Sequence, residues 1–123
     1  TSHPGKYLYE PNSSIIKAGA YKSIANKFNL NKLHINSHLY TSEILHPDFQ
    51  GRKFRIESIS TLNKKELKQH TANLTKANIT VRNFPLSVED IRKKIKLNDG
   101  GDTYIFATTL ADERKVIIFC HKV

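Results

Sequence analysis

The sequence contains a single cysteine, which excludes an intrachain disulfide and suits a reducing compartment. It has no apolar run approaching the roughly 20 residues of a membrane-spanning helix. Nor does it open with the charged-then-apolar pattern of a signal segment, so a cytoplasmic protein with no membrane partner is expected. Acidic residues are few. There are 11 Asp and Glu against 20 Lys and Arg, for a formal charge of +9 and a pI near 9.7. That balance favours polyanionic partners, nucleic acid foremost, although it also promotes plain solubility. Internal repeats and low-complexity tracts are absent too, which leaves one domain, or a small domain with an appended piece, in 123 residues. The first residue is Thr1 rather than Met, as expected of a fragment of a longer chain.

What is present is unevenly spread. Gly51 to Val123 carries 15 basic and 8 acidic residues, whereas Thr1 to Gln50 carries 5 and 3. The best-organised stretch runs from Ile79 to Cys120. Ile79–Arg82 alternates apolar and polar residues, as a half-buried strand does. Ser87 then caps a helix with Val88, Ile91 and Ile95 on one stripe, and Asp90 stands where a full capping box has Glu or Gln. Asn98-Asp99-Gly100-Gly101 follows with residues that tolerate positive φ. Thr103–Leu110 and Lys115–Cys120 read as a closing strand pair. Upstream, Arg52–Ser60 reads as a strand, and Asn63 caps a helix from Lys64 to about Leu74.

The order β-α-β-α-β-β predicts three parallel strands, both helices on one face, and a final antiparallel strand. The other face is then open to solvent or a partner, with Lys53, Arg55, Thr80 and Arg82 projecting from it by alternation.

The first part is less regular. Thr1–Gly5 reads as a loose lead-in. Glu10-Pro11-Asn12 announces a helix to about Phe28, with Ile16, Ala20, Ile24 and Phe28 in four-residue steps. Ala18, Gly19 and Ala25 thin its wall for close packing, and Asn29 is a left-handed stop. Leu33–Ile35 and Leu39–Thr41 suggest two brief strands about a turn at Asn36-Ser37. Glu43–Gly51, with Pro47, reads as a linker, so residues 1–46 and 47–123 form two units. The expected class is α+β: an N-terminal helix with short strands, then a two-layer β-α-β-α-β-β domain with a mixed sheet and helices on one face.

Chemistry-bearing residues are sparse. His34, His38 and His46 lie near one another, but Asn36-Ser37 argues against the helix that would align the first two on a metal. Cys120 sits in an apolar strand, and His121 beside it faces the other way, so a structural thiol is expected. Gly100-Gly101-Asp102 follows a helix instead of preceding one, unlike a phosphate-binding loop. Basic residues are the functional signal. Arg92, Lys93, Lys94 and Lys96 crowd one helix, with Arg82 and Asn83 at the strand end before it. Arg82, Asn83, Arg92, Lys93 and Lys96 are therefore the candidate nucleic-acid contacts. No catalytic or metal-binding set is expected.

Several segments resemble a known family. These are Tyr7-Leu8-Tyr9-Glu10-Pro11-Asn12, Lys17-Ala18-Gly19-Ala20, His38-Leu39-Tyr40-Thr41-Ser42 and Phe49-Gln50-Gly51-Arg52. The longer matches are Ala77-Asn78-Ile79-Thr80-Val81-Arg82-Asn83-Phe84-Pro85-Leu86-Ser87 and Leu97-Asn98-Asp99-Gly100-Gly101-Asp102. Together they resemble the C-terminal region of bacterial, Bacteroidetes-type class I S-adenosylmethionine-dependent methyltransferases, with Ser14 where that family usually has Ala. The resemblance implies a ferredoxin-like segment followed by a THUMP-like domain, with the catalytic domain lying upstream. S-adenosylmethionine would bind that upstream domain, and this fragment would hold no cofactor. THUMP domains in general bind RNA for RNA-modifying enzymes. The expectation is thus a non-catalytic accessory domain that binds RNA through a basic surface and works with a linked methyltransferase domain. The alternative is a structural module packing on the catalytic domain or mediating assembly without nucleic acid.

Overall fold

The computed structural model describes residues 3–14, 19 and 21–123. The strands are β1 (Tyr7–Pro11), β2 (Asn31–Lys32), β3 (Tyr40–Ser42), β4 (Gly51–Ser60), β5 (Asn78–Arg82), β6 (Thr103–Thr109) and β7 (Lys115–Lys122). They form one mixed seven-stranded sheet in the order β2-β3-β1-β4-β7-β6-β5. Helices α1 (Tyr21–Lys27), α2 (Lys64–Thr71) and α3 (Val88–Ile95) connect them. The fold is α+β, as expected.

Local chemistry accounts for the second half. Asn63 Oδ1 accepts the Glu66 amide and opens α2. Ser87 Oγ accepts the Asp90 amide at 3.1 Å, and Asp90 Oδ2 accepts the Ser87 amide at 3.2 Å. Aspartate therefore closes the capping box that the sequence left incomplete. Beyond α3, Lys96 turns left-handed at φ 55°, and Gly100 and Gly101 continue with φ 109° and 79°. The glycine turn is a helix-to-strand connection.

Strands β4, β5 and β6 run in one direction, as expected, but β7 is inserted antiparallel between β4 and β6. Helices α2 and α3 lie on one face, where Leu67, Ile91 and Ile95 pack on Ile105, Ala107, Ile117 and Phe119. Each large apolar side chain buried there contributes about 1.5–3 kcal/mol.

The other face is not open. Phe54, Phe106, Ile118 and Cys120 on it are buried together with Leu8 of β1 and Leu33 and Leu39 of the β2–β3 segment. Arg52 adds its guanidinium at 5.3–5.8 Å from the Phe54, Tyr104 and Phe106 rings. The expected set of outward side chains is also out of phase. Thr80 and Arg82 do share the Phe106 face, through the pairs Thr80↔Phe106 and Arg82↔Thr108. Arg55 pairs with His121, however, so Arg55 and Lys53 point to the helix side. A bulge between Ile56 and Ser58 resets the alternation, which lets Phe54, Ile56 and Ile59 all serve the second face.

The first part departs most from expectation. Tyr7–Pro11 is a strand, and it pairs antiparallel with β3 on one side and β4 on the other. The helix start expected at Asn12-Ser13 is present, with Ser13 and Ser14 helical, but Gly19 has φ 71° and so interrupts a single helix to Phe28, and the helix described beyond it is α1. Ile16, Ala18 and Ala20 lie outside the described residues. Asn29, at φ 54°, is the expected left-handed stop. Leu33–Ile35 is no strand but leads into a turn closed by the Ser37 amide on His34 O, and the short ladder is Asn31–Lys32 with β3 instead. The lead-in is pinned, since the Gly5 amide donates to Thr41 Oγ1 at 2.7 Å and Pro4 is buried. The linker is packed as well. Phe49 is buried against Tyr9, with ring centroids 5.0 Å apart, in a cluster with Leu30, Tyr40 and α1.

Candidate functional site

The most concentrated positive feature lies between α2 and α3. A cavity of about 410 Å³ there is lined by Leu62, Leu67, Thr71 and Ile95, with Lys64, Lys68, Lys93, Lys94 and Lys96 around it. Among the described residues no carboxylate lines it, and all five lysines are exposed. Their placement follows from the helices. Lys64 and Lys68 are one turn apart on α2, and Lys93, Lys94 and Lys96 occupy the end of α3. Cations at the end of α3 complement its negative dipole end, whereas Lys64 in the first turn of α2 opposes the positive one. That placement costs helix stability and gains nothing locally. Among the described residues none of the five forms an ion pair. Lys93 and Lys94 make only small contributions to holding the Asp90 carboxyl below its ordinary range, an effect led by the Ser87 amide and hydroxyl.

The five residues expected from sequence do not all meet here. Lys93 and Lys96 do. Arg92 is engaged elsewhere: Nη1 donates to Leu97 O at 3.0 Å, and Nη2 to Asp99 Oδ1 at 3.3 Å. Arg82 and Asn83 line a second cavity of about 280 Å³, with Glu10, Pro11, Ser13, Asn36, Ser37 and His38. Glu10 is shared between Arg82 at 2.8 Å and Arg52 at 2.6 Å. Asn83, left-handed at φ 55°, donates from Nδ2 to His34 Nδ1 at 3.1 Å, and its carbonyl accepts the Thr109 hydroxyl.

Lys64 and Lys68 line this groove without having been among the residues expected from sequence. Their distance along the chain from Lys93 hides the pairing, although Lys64 opening a helix against its dipole was a visible signal.

His34 and His46 are engaged within the fold. His34 Nδ1 accepts the Asn36 amide at 2.9 Å as well as Asn83, so Nε2 carries the proton and donates to Glu113. His46 packs against Tyr9 and Phe28. His38 lines the second cavity, and burial foremost, then Lys32, lowers its pKa. Among the described residues no group of three or more His, Cys, Asp or Glu is arranged for a metal. Cys120 donates to Tyr104 O at 3.3 Å, and burial pushes its thiol up to about 12. The thin-walled helix face is partly used internally: Ala25 packs in the Tyr9–Phe49 cluster, and Gly19 faces open space. No helix among the described residues is long and apolar enough to cross a membrane.

Comparison with known proteins places these features. A family model described as THUMP domain-like matches residues 51–122, and one described as a ferredoxin-like domain matches residues 7–49. The chain superposes on a solved structure from Porphyromonas gingivalis W83, provisionally assigned as a methyltransferase, with a TM-score of 0.89 and 43% identity. The match covers all of this chain and 31% of that one. No curated protein matches the chain.

Proposed function

The chain belongs to the THUMP domain-like family, and on that footing we propose that it is a non-catalytic accessory module that binds RNA through the α2–α3 groove. One observation carries the reading: five lysines gather about a groove that no carboxylate lines. Unpaired cations in that density are costly to one another, and a phosphate backbone is the partner that relieves them. Lys64, Lys68, Lys93, Lys94 and Lys96 are the contacts, and each acts on phosphate oxygens. Arg82, Asn83 and Arg92 take a supporting part, because their polar groups are already engaged within the fold.

The partner in the same polypeptide is a methyltransferase domain of the class I, S-adenosylmethionine-dependent kind. The similarity to the Porphyromonas gingivalis protein supports the methyltransferase part of that reading, and the class is carried by the sequence resemblance. S-adenosylmethionine belongs to that linked domain, and no residue of this chain has a role toward it. The module's task is to hold RNA where the linked domain can reach it, in the cytoplasm.

Titration of the protein with transfer or ribosomal RNA at two salt concentrations tests the reading. Engaging all five lysines gives a slope of log K against log salt of about −3.5 to −4.5. Absence of binding at low salt would refute it.

A further inference from the structure

The lining of the α2–α3 groove also bears on which form of RNA it receives, an inference that rests on the RNA reading above. Proteins that hold single strands stack the exposed bases on aromatic rings or arginine planes. Among the described residues the groove has neither: Leu62, Leu67, Thr71 and Ile95 line it besides lysine. Base edges are read by side chains with paired donors and acceptors, chiefly Arg, Asn, Gln and carboxylates. None lines this groove. A strand with unstacked bases would thus find phosphate contacts and nothing for its bases.

The lysines themselves come from two helices. Lys64 and Lys68 stand about 6 Å apart along α2, and Lys93 and Lys94 close the last turn of α3 with Lys96 just beyond it. Packed helices lie about 8–10 Å apart, so the charge forms two rows across an apolar cleft. A ligand that turns two phosphate backbones outward and keeps its bases inside meets every feature of this lining.

We infer that the groove binds base-paired RNA, with one lysine row serving each strand's phosphates. The row on α2 and the row on α3 then contribute separately. An unpaired strand can engage one row fully and gains little from the other.

Fluorescence anisotropy on the whole protein tests this with a short RNA duplex and its two component strands, each chosen to form no hairpin. The duplex is expected to bind about tenfold tighter or more at low salt, since it engages both rows. Lys64→Glu/Lys68→Glu and Lys93→Glu/Lys96→Glu should each lower the magnitude of the duplex salt slope by about 2. Lys→Arg versions of both pairs should keep the wild-type preference, and circular dichroism melts verify folding. Single strands binding as tightly as the duplex would overturn this inference and leave the RNA reading standing. Failure of every RNA to bind at low salt would remove both.

Discussion

Glu10 of β1 and Arg82 of β5 meet at 2.8 Å although β4, β7 and β6 lie between their strands in the sheet. Four strand spacings would separate them by about 19 Å in a flat sheet, so the sheet curls about the face both side chains share. Glu10 also holds Arg52 and is only 14% exposed. Glu10→Gln removes the charge that both arginines face. We expect a loss of about 1–3 kcal/mol, moderated by the partial exposure of the arginines, and urea unfolding measures it.

Gly51 joins the same two regions. A Cβ there would overlap the Glu10 carbonyl oxygen and stand 2.8 Å from Pro11 Cα and 2.7 Å from the Phe49 ring, with φ at 158°. Backbone cannot retreat as a flexible side chain does. Gly51→Ala should cost about 2–4 kcal/mol, seen as a lower denaturation midpoint with an unchanged final slope.

Much of the second half was legible because its chemistry is local. Ser87 with the Val88, Ile91, Ile95 stripe, Asn63 as cap, and the alternation at Ile79–Arg82 each act within a few residues. Strand β1 was hidden for a physical reason. Leu8 and Tyr9 are both buried, on opposite faces, so Tyr7–Pro11 shows no two-residue period, and the helix start at Asn12-Ser13 that follows masks it. Arg55 was misread because Phe54 and Ile56 are buried against the N-terminal segment instead of the helices, which turns Arg55 to the helix side. As for the site, Lys93 and Lys96 were legible as a charge cluster, but Lys64 and Lys68 join them only through tertiary packing.

The Asp90 carboxyl is held below its ordinary value of 3.8, first by the Ser87 amide. A carboxyl lowered in the folded state stabilises above its unfolded pKa, and the effect fades as pH falls through the folded value. The melting temperature of the wild type should exceed that of Asp90→Asn by a constant amount from about pH 7 to pH 5. Below pH 3.8 the difference should close.

Arg92 ties the end of α3 to the turn that follows it, through Leu97 O and Asp99. Arg92→Ala should therefore lower the melting temperature while reducing RNA affinity less than Lys93→Ala does. Anisotropy titrations beside thermal melts give both quantities.

Burial raises the Cys120 thiol from 9.0 to about 12. The folded protein should resist thiol reagents at pH 8, and labelling should follow unfolding. The sign for stability is the reverse of that for Asp90. A group whose pKa is raised on folding stabilises below its unfolded value, so this contribution declines between pH 9.0 and about 12. Cys120→Ala should lack that part of the alkaline loss.

The ladder from Tyr7↔Arg55 to Pro11↔Gly51 runs across the meeting point of the two matched family segments. A gene rearrangement that carried off residues 51–122 alone would take a sheet with an unpaired β4 edge, and a hollow stripped of Leu8, Leu33 and Leu39. Such an edge recruits other chains, so the severed piece would meet aggregation before it met a new host. The two segments therefore depend on one another for a paired β4 edge and a filled core.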